Sequence, residues 1–305
     1  MPRIRKARAL RHGATLGLAA PAGPIDRDRL EAGEEWIRAL GFEPHRREDL
    51  TARRGYLAGD DARRAAEFME LVDDPAVDGI VCVRGGYGCH RIIGQLVARR
   101  VRRAAKPLVG YSDATTLLLW QWRRAGLMGF HGPMLDRSAS LSAESADALV
   151  AALTGDGRPP RLVGKAIAPG VAEGRLVGGS LALLAASLGS PWEIDTRGAI
   201  LLLEEIAEEP YRIDRMLQQL CVAGKLASLV GVGVGQMVAC EGTRYPTPDV
   251  GEVLDEILTP LGIPIVADLA FGHADHNLVW PFGGRALIDG ERGEIEVLEA
   301  GVRTD

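Results

Sequence analysis

Short apolar runs alternate with stretches of helical periodicity through the first half of the chain. The apolar runs predict buried strands at 14–20, 79–83 and 108–111. Apolar residues three and four positions apart predict helices at 27–40, 62–72, 87–100 and 114–124. Strands that alternate with helices are typical of a mostly parallel sheet, which binds its ligands at the carboxyl ends of the strands. The pattern therefore predicts an α/β fold.

The second half of the chain has a different pattern. It has shorter apolar runs, at 199–203, 229–234, 263–266 and 286–288, and one predicted helix, at 211–220. The Gly- and Pro-rich run at 155–160 is the densest turn signal in the sequence and predicts a domain boundary. We predict an N-terminal domain at 1–137, a linker at 138–174 and a smaller C-terminal α/β or α+β domain at 175–305.

Composition narrows the class of protein. The chain has 305 residues, of which 47% are hydrophobic, so it can bury a large core. No apolar stretch approaches the roughly 20 residues of a membrane-spanning helix, so we expect no membrane association. Four cysteines in so long a chain do not form a disulfide framework, which favours a reduced, intracellular protein.

Charge is divided unevenly between the halves. Residues 1–150 have 24 Lys and Arg against 19 Asp and Glu, a net +5, and residues 151–305 have a net −10. The basic residues come in pairs rather than in one block, so nucleic-acid binding is not expected. The basic N-terminus and the apolar run after it mimic a signal peptide, but that run is short and stops at Pro21. We therefore predict a cytoplasmic protein.

Ser112 occupies a turn between a predicted strand and a predicted helix. In the run Gly-Tyr-Ser-Asp-Ala, a serine at this corner would project its hydroxyl from the edge of the sheet. The next backbone N–H, that of Asp113, would point at the group under attack, as in a nucleophile elbow, although the usual second glycine is replaced by Ala114. The alternative is that Ser112 or Asp113 only caps the following helix.

A second turn, Arg-Gly-Gly-Tyr-Gly at 84–88, also joins a strand to a helix. Adjacent glycines such as Gly85 and Gly86 allow a ligand to approach backbone N–H groups, which favours an anion or an oxyanion. The pattern lacks the Gly spacing and the Lys of nucleotide-binding loops. The alternative is an ordinary tight turn.

Two further segments contain candidate catalytic groups. Glu204 follows a strongly apolar strand, where an unpaired carboxylate would be costly to bury. The alternative is that Glu204 and Glu205 belong to a solvated acidic cap. His273 lies in a glycine-containing loop and is suited to proton transfer, with His131 as a rival base. The spacing of the histidines and acids around His273 matches no familiar zinc site, so we expect no metal.

The chain as a whole resembles the LD-carboxypeptidases, a family of serine peptidases. The matching segments follow one another in the order of the family: residues 19–23, 56–60, 83–88, 110–113, 131–133, 174–181, 203–206, 209–217, 272–273 and 280–283.

The resemblance implies a function. Ser112 matches the family's nucleophile, Glu204 its orienting acid and His273 its base, with an oxyanion hole formed by the N–H of Asp113 and that of Gly85 or Gly86. Arg84 is a candidate for binding the terminal carboxylate of the substrate.

The resemblance also implies an architecture and a reaction. We expect an N-terminal Rossmann-like domain, a β-rich, swivelling C-terminal domain and a site between them, in a homodimer that uses no metal or cofactor. The implied reaction removes the terminal D-alanine from murein tetrapeptides during peptidoglycan recycling.

Three alternatives to this function stay open. A microcin-immunity-type hydrolase of the same family would cleave an amide in a peptidyl-nucleotide. An aromatic residue in its substrate loop that stacks on a nucleobase would favour this function, and residues 137–174 contain no obvious candidate. A non-catalytic binder of anionic sugars or peptides would use the Gly-rich turn and would keep its function when Ser112 is replaced. A nucleotide-dependent oxidoreductase lacks a proper dinucleotide fingerprint in this sequence.

Overall fold

The protein is described by a computed structural model that covers residues 3–157, 161–242, 244–245 and 248–304. Its strands are β1 (Ala7–Arg8), β2 (Thr15–Ala19), β3 (Glu43–His45), β4 (Gly79–Cys82), β5 (Leu108–Gly110), β6 (Gly129–His131), β7 (Arg161–Val163), β8 (Lys165–Ala168), β9 (Val171–Ser180), β10 (Ala199–Ile206), β11 (Gly231–Val238), β12 (Ile265–Ala267), β13 (Trp280–Phe282), β14 (Arg285–Asp289), β15 (Glu294–Val297) and β16 (Val302–Arg303). Its α-helices are α1 (Arg27–Ala39), α2 (Asp61–Asp73), α3 (Cys89–Ile92), α4 (Ala98–Ala104), α5 (Thr115–Trp120), α6 (Ala143–Thr154), α7 (Leu181–Ala186), α8 (Pro210–Val222) and α9 (Val250–Leu258).

The first large sheet has six strands in the order β13-β6-β5-β4-β2-β3. Five of them are parallel, and only β13 runs antiparallel to its neighbour. Four of the five, β2, β4, β5 and β6, are almost wholly buried, as expected for a parallel sheet covered on both faces. Strand β13 comes from near the end of the chain, so the C-terminal part completes the N-terminal sheet.

The second large sheet has eight strands in the order β7-β15-β14-β9-β10-β11-β12-β8. Its centre, β9 to β12, is parallel, and antiparallel strands flank it on both sides. One cluster of buried apolar side chains extends from Leu118 on α5 to Leu181 on α7 and Leu202 on β10. The mixed α/β fold, with a parallel N-terminal sheet and a β-rich C-terminal part, confirms the predicted class.

The prediction of one continuous helix at 87–100 is wrong. The chain forms α3, then a 3₁₀ turn at Ile93–Gln95, an extended Leu96 and Val97, and then α4. Gly88 has φ +148° and Gly94 lies between the two helices, and glycine weakens helix interiors. The predicted helix at 114–124 is α5 followed by a π-helical turn, Gln121–Ala125.

The predicted linker at 138–174 contains α6, β7, β8 and the first residues of β9. Three residues of the turn expected at the boundary, 158–160, lie outside the described residues. The division of the chain at 137 and 174 stays a prediction. No helix in the described part of the chain is long and apolar enough to cross a membrane.

Helix α2 packs against the turns at the carboxyl edge of the first sheet. The side chain of Arg64 is fully buried, and it donates to the carbonyl of Pro21 and pairs with Asp61. Glu67, also buried, accepts the N–H of Ala20 at 2.6 Å. A side chain at Gly88 would overlap the Arg64 guanidinium. Arg64 and Glu67 on α2 therefore hold the end of β2 and the turn after it by hydrogen bonds, and Arg64 packs against the Gly-rich turn at Gly88.

We predict that Arg64→Ala lowers the free energy of unfolding by about 3 kcal/mol, because it leaves buried polar partners unpaired. Arg91→Ala is the matched control, since Arg91 also pairs with Asp61 but is 43% exposed. The control variant should unfold at nearly the same urea concentration as the parent protein. Equal destabilisation by the two substitutions would contradict this account of α2.

Candidate active site

Ser112 lies in a strained turn between β5 and α5. Its φ is +57°, a left-handed conformation that is uncommon for a residue other than glycine. A Cβ at Gly110 would fall 2.8 Å from the Cβ of Ala114, so the turn is too tight for larger residues. Strain of this kind is concentrated at functional sites, and it is the geometry of a nucleophile elbow.

The Gly-rich turn packs directly against this serine. A Cβ at Gly85 would fall 2.8 Å from the Ser112 Oγ, so only glycine leaves the hydroxyl accessible from that side. Gly86 has φ +103°, which also requires glycine. The sequence alone could not distinguish this arrangement from an ordinary tight turn, because the contact joins two segments that are distant in sequence.

Asp113 connects the two turns. Its buried carboxylate accepts the backbone N–H of Cys89 at 2.8 Å, and burial raises its pKa. Neither Ser112 nor Asp113 caps α5 with its side chain. The N–H of Asp113 lies in the first turn of the helical segment that begins at Ser112, where backbone N–H groups have no acceptor within the helix.

Glu204 and His273 form a short buried hydrogen bond. Glu204 lies near the end of β10 with no solvent exposure, and its Oε2 is 2.6 Å from the His273 Nδ1. Burial alone would raise the pKa of Glu204, but the hydrogen bond from His273 and the nearby imidazole of His131 lower it to about 2. The carboxylate is therefore ionised at neutral pH. Gly272 has φ +121°, and a Cβ there would lie 3.1 Å from the Glu204 Oε2, so the loop requires glycine beside the acid.

Glu205 has a structural role instead, because its carboxylate contacts α7 rather than His273. Its Oε2 accepts the N–H of Ala182 at 2.7 Å and the hydroxyl of Ser180 at 3.3 Å, so it anchors the start of α7. Burial raises its pKa. Glu204 and Glu205 are 0% and 4% exposed, so the alternative of a solvated acidic cap is wrong for these two residues.

Ser112 and His273 line one open cavity of about 720 Å³ at the carboxyl edge of the first sheet. The structure brings them to the same space without a hydrogen bond between them. Such contacts are often long in ligand-free enzymes and shorten when substrate binds. Gly85, Gly86 and Arg84 line the same cavity.

Three arginines give the cavity a cationic lining, and only one of them, Arg84, is a candidate from the sequence alone. Arg84 donates to the carbonyl of Pro24 at 2.6 Å, and Arg29 and Arg137 lie at the same cavity. Arg137 donates to the carbonyl of His273 at 2.6 Å, so it fixes the histidine loop. Arg29 lies on the exposed face of α1 and Arg137 in a short 3₁₀ helix, Leu135–Ser140. Arginine is common at such surface positions and gives no distinctive signal.

His131, the rival base, does not reach the cavity. It lies in β6, has no solvent exposure and stacks on Trp280 at a ring separation of 4.8 Å. Burial lowers its pKa, so it is neutral at neutral pH. In the described residues, no group of three or more His, Cys, Asp and Glu side chains is arranged to hold a metal ion.

Comparison with known proteins assigns the family. Residues 16–132 match the model of the LD-carboxypeptidase N-terminal domain, and residues 173–288 match that of the C-terminal domain. The probable murein peptide carboxypeptidase of Bacillus subtilis is 35% identical over 310 residues, which cover 97% of this chain and 95% of the relative.

Two further comparisons extend this likeness. The crystal structure of muramoyltetrapeptide carboxypeptidase from Oxalobacter formigenes superposes with a TM-score of 0.85 at 30% identity, over 93% of this chain and 98% of that one. The microcin C7 self-immunity protein of Escherichia coli is 26% identical over 96% of this chain and 95% of its own length. The two matched domain models and the extent of these similarities show that this chain belongs to the LD-carboxypeptidase family of enzymes.

Proposed function

We propose that this enzyme is a serine LD-carboxypeptidase that releases the terminal D-alanine of murein tetrapeptides. The observation that carries the proposal is the hydrogen bond that His273 donates to the buried Glu204, at a cavity that His273 shares with the strained Ser112. The names of the relatives from Bacillus subtilis and Oxalobacter formigenes support the substrate class.

The mechanism follows from the geometry of these three residues. Glu204 accepts the Nδ1–H of His273, which leaves Nε2 as the base that removes the proton of the Ser112 hydroxyl. Ser112 Oγ then attacks the carbonyl that joins the L-configured centre to D-alanine. His273 returns the proton to the nitrogen of the departing D-alanine as the C–N bond breaks. Water, activated by His273, hydrolyses the ester and frees Ser112.

Backbone N–H groups would stabilise the oxyanion of the tetrahedral intermediate. The N–H of Asp113 and that of Gly85 or Gly86 are the donors, since both turns adjoin the Ser112 hydroxyl. Donors held rigidly in place lower the barrier without reorganising, and loss of one donor typically costs about 10²- to 10³-fold in rate.

The cationic lining suits the free carboxylate that a carboxypeptidase must recognise. Arg84 is our candidate for this contact, and Arg29 and Arg137 contribute positive potential to the same cavity. The proposal further includes a homodimer and a cytoplasmic role in peptidoglycan recycling. The four cysteines are free, which agrees with a reducing compartment.

We predict that Ser112→Ala lowers the kcat for D-alanine release by at least about 10⁴-fold, because it removes the nucleophile. Release from a murein tetrapeptide would be followed by mass spectrometry. The matched control is Ser140→Ala, which removes a hydroxyl from the same cavity and should leave kcat near that of the parent. Full activity of Ser112→Ala would exclude the serine mechanism and would support a non-catalytic or different role for this turn.

The adjacent acids provide a second prediction. We expect Glu204→Gln to lower kcat on the order of 10³- to 10⁴-fold, because the amide cannot stabilise a protonated His273. Glu205→Gln should instead lower the melting temperature through its contacts with α7, with a much smaller change in kcat. Kinetics and thermal unfolding of both variants check this assignment. A larger kcat loss for Glu205→Gln would exchange the roles of the two residues.

A microcin-immunity-type amide hydrolase is the second candidate function, and one observation favours it. Tyr56 and Tyr87 are 66% and 46% exposed, their ring centroids are 5.8 Å apart, and both line a cavity of about 500 Å³. Arg84 and Gly86 line this cavity and the Ser112 cavity alike. Exposed aromatic rings beside a catalytic cavity offer a stacking surface for a nucleobase.

We expect the murein tetrapeptide to be cleaved with a kcat/KM at least about 10-fold higher than that for an aminoacyl sulfamoyl adenosine. Competition between the two substrates, followed by mass spectrometry, gives this ratio directly. The reverse preference would establish the second function if Tyr87→Ala reduces it. Tyr211→Ala is the control and should retain the preference, because Tyr211 is exposed but lines neither cavity.

A further inference from the structure

His131 is a buried titratable residue for which the proposed mechanism has no use. It is the last residue of β6, it has no solvent exposure, and its ring stacks on Trp280 with an interplanar angle of 12°. Phe271 covers another side of the ring edge-on, at 5.7 Å between centroids. Burying an imidazole in so apolar a setting costs more free energy than burying a phenyl ring, unless the ring nitrogens form hydrogen bonds.

The polar atom that faces His131 is the second carboxylate oxygen of Glu204. The His131 Nε2 lies 3.9 Å from the Glu204 Oε1, and both residues are fully buried. Within the described part of the chain, neither this oxygen nor either ring nitrogen of His131 has a hydrogen-bond partner. A donor and an acceptor that both lack partners therefore face each other, about 1 Å beyond hydrogen-bond length.

The charges around His131 determine its protonation. The titratable groups against it are Glu204 on β10, His273 in the loop after β12, and Tyr111 beyond β5. Burial lowers the pKa of His131 and favours the neutral ring, which has a single N–H. Because Glu204 is ionised, that proton is most stable on the nitrogen that faces the carboxylate, Nε2.

We propose that His131 is a positioning residue that donates its Nε2–H to Glu204 Oε1 and so holds the carboxylate from the side opposite His273. This inference rests on the proposed function. With both oxygens bound, the plane of the carboxylate is fixed and its Oε2 stays directed at the His273 Nδ1. The second donor also makes Glu204 less basic, which keeps the proton on His273 during the reaction.

Two variants separate hydrogen bonding from packing. His131→Phe keeps a flat ring on Trp280 but has no N–H, whereas His131→Gln supplies an amide N–H near the position of Nε2. We expect His131→Phe to lower kcat by about 10- to 100-fold, the equivalent of one hydrogen bond to a charged group, with KM little changed. His131→Gln should recover most of that loss. A kcat near that of the parent in His131→Phe, together with a lower kcat in His131→Gln, would assign His131 to packing alone.

The pH profile gives a readout that a purely structural role would not move. Loss of the His131 donor makes Glu204 more basic, and a more basic carboxylate stabilises the His273 imidazolium. The acid limb of kcat/KM, which reports the free enzyme's base, should therefore shift to higher pH in His131→Phe. An unchanged limb at unchanged kcat would overturn the inference.

Nitrogen NMR of the ¹⁵N-histidine-labelled parent protein tests the contact without any variant or any activity. We expect His131 to carry its proton on Nε2, and a proton on Nδ1 would overturn the inference. This measurement also separates the two proposals. Full activity of Ser112→Ala refutes the serine mechanism, whereas an Nδ1 proton on His131 refutes only the positioning role.

Discussion

The hydrogen bond between Glu204 and His273 is the constraint on which the candidate site depends. A fully buried carboxylate needs a partner, and Glu204 is held at the end of a strand in the middle of the second sheet. Its partner, His273, lies in the loop after β12, and β12 is two strands away from β10 in that sheet. The chain must therefore fold back across the edge of β11, and it does so at positions where only glycine fits. A Cβ at Gly235 would meet the Phe271 carbonyl at 2.7 Å, and Gly272 passes beside the acid itself.

The serine reaches this pair because the two sheets are joined at the helix that follows it. Gly179, near the end of β9, packs so closely on Thr115 that its Cβ would lie 2.5 Å from the threonine Oγ1. The same hydroxyl accepts the N–H of Ser180 at 3.3 Å. The first turn of α5 thus contacts the second sheet one strand away from Glu204. The strained conformation of Ser112 is held from three sides: by α5, by the Gly-rich turn and by the Asp113 carboxylate on Cys89.

The features of the fold and the site that depend on neighbouring residues can be predicted from the sequence. The alternation of elements, the turn at Ser112 and the acid at the end of an apolar run can all be recognised from neighbouring residues, although Glu204 itself lies within β10. The distinction between Glu204 and Glu205 is not local, because it depends on which oxygen meets the His273 loop and which meets α7. Strand β13 in the first sheet and the burial of His131 behind Glu204 are likewise contacts between distant segments. Periodicity cannot reveal such contacts, and it also overestimated the continuity of the helix at 87–100.

The most direct measurement of the central claim is the site of covalent labelling by a serine-directed fluorophosphonate. Our account places an activated hydroxyl at Ser112 only, so inactivation should accompany a single adduct, and peptide mapping should find it on Ser112. Labelling should slow steeply in His273→Ala, because the base is lost. An adduct on another residue in the inactivated enzyme, or full activity of protein labelled at Ser112, would contradict the account.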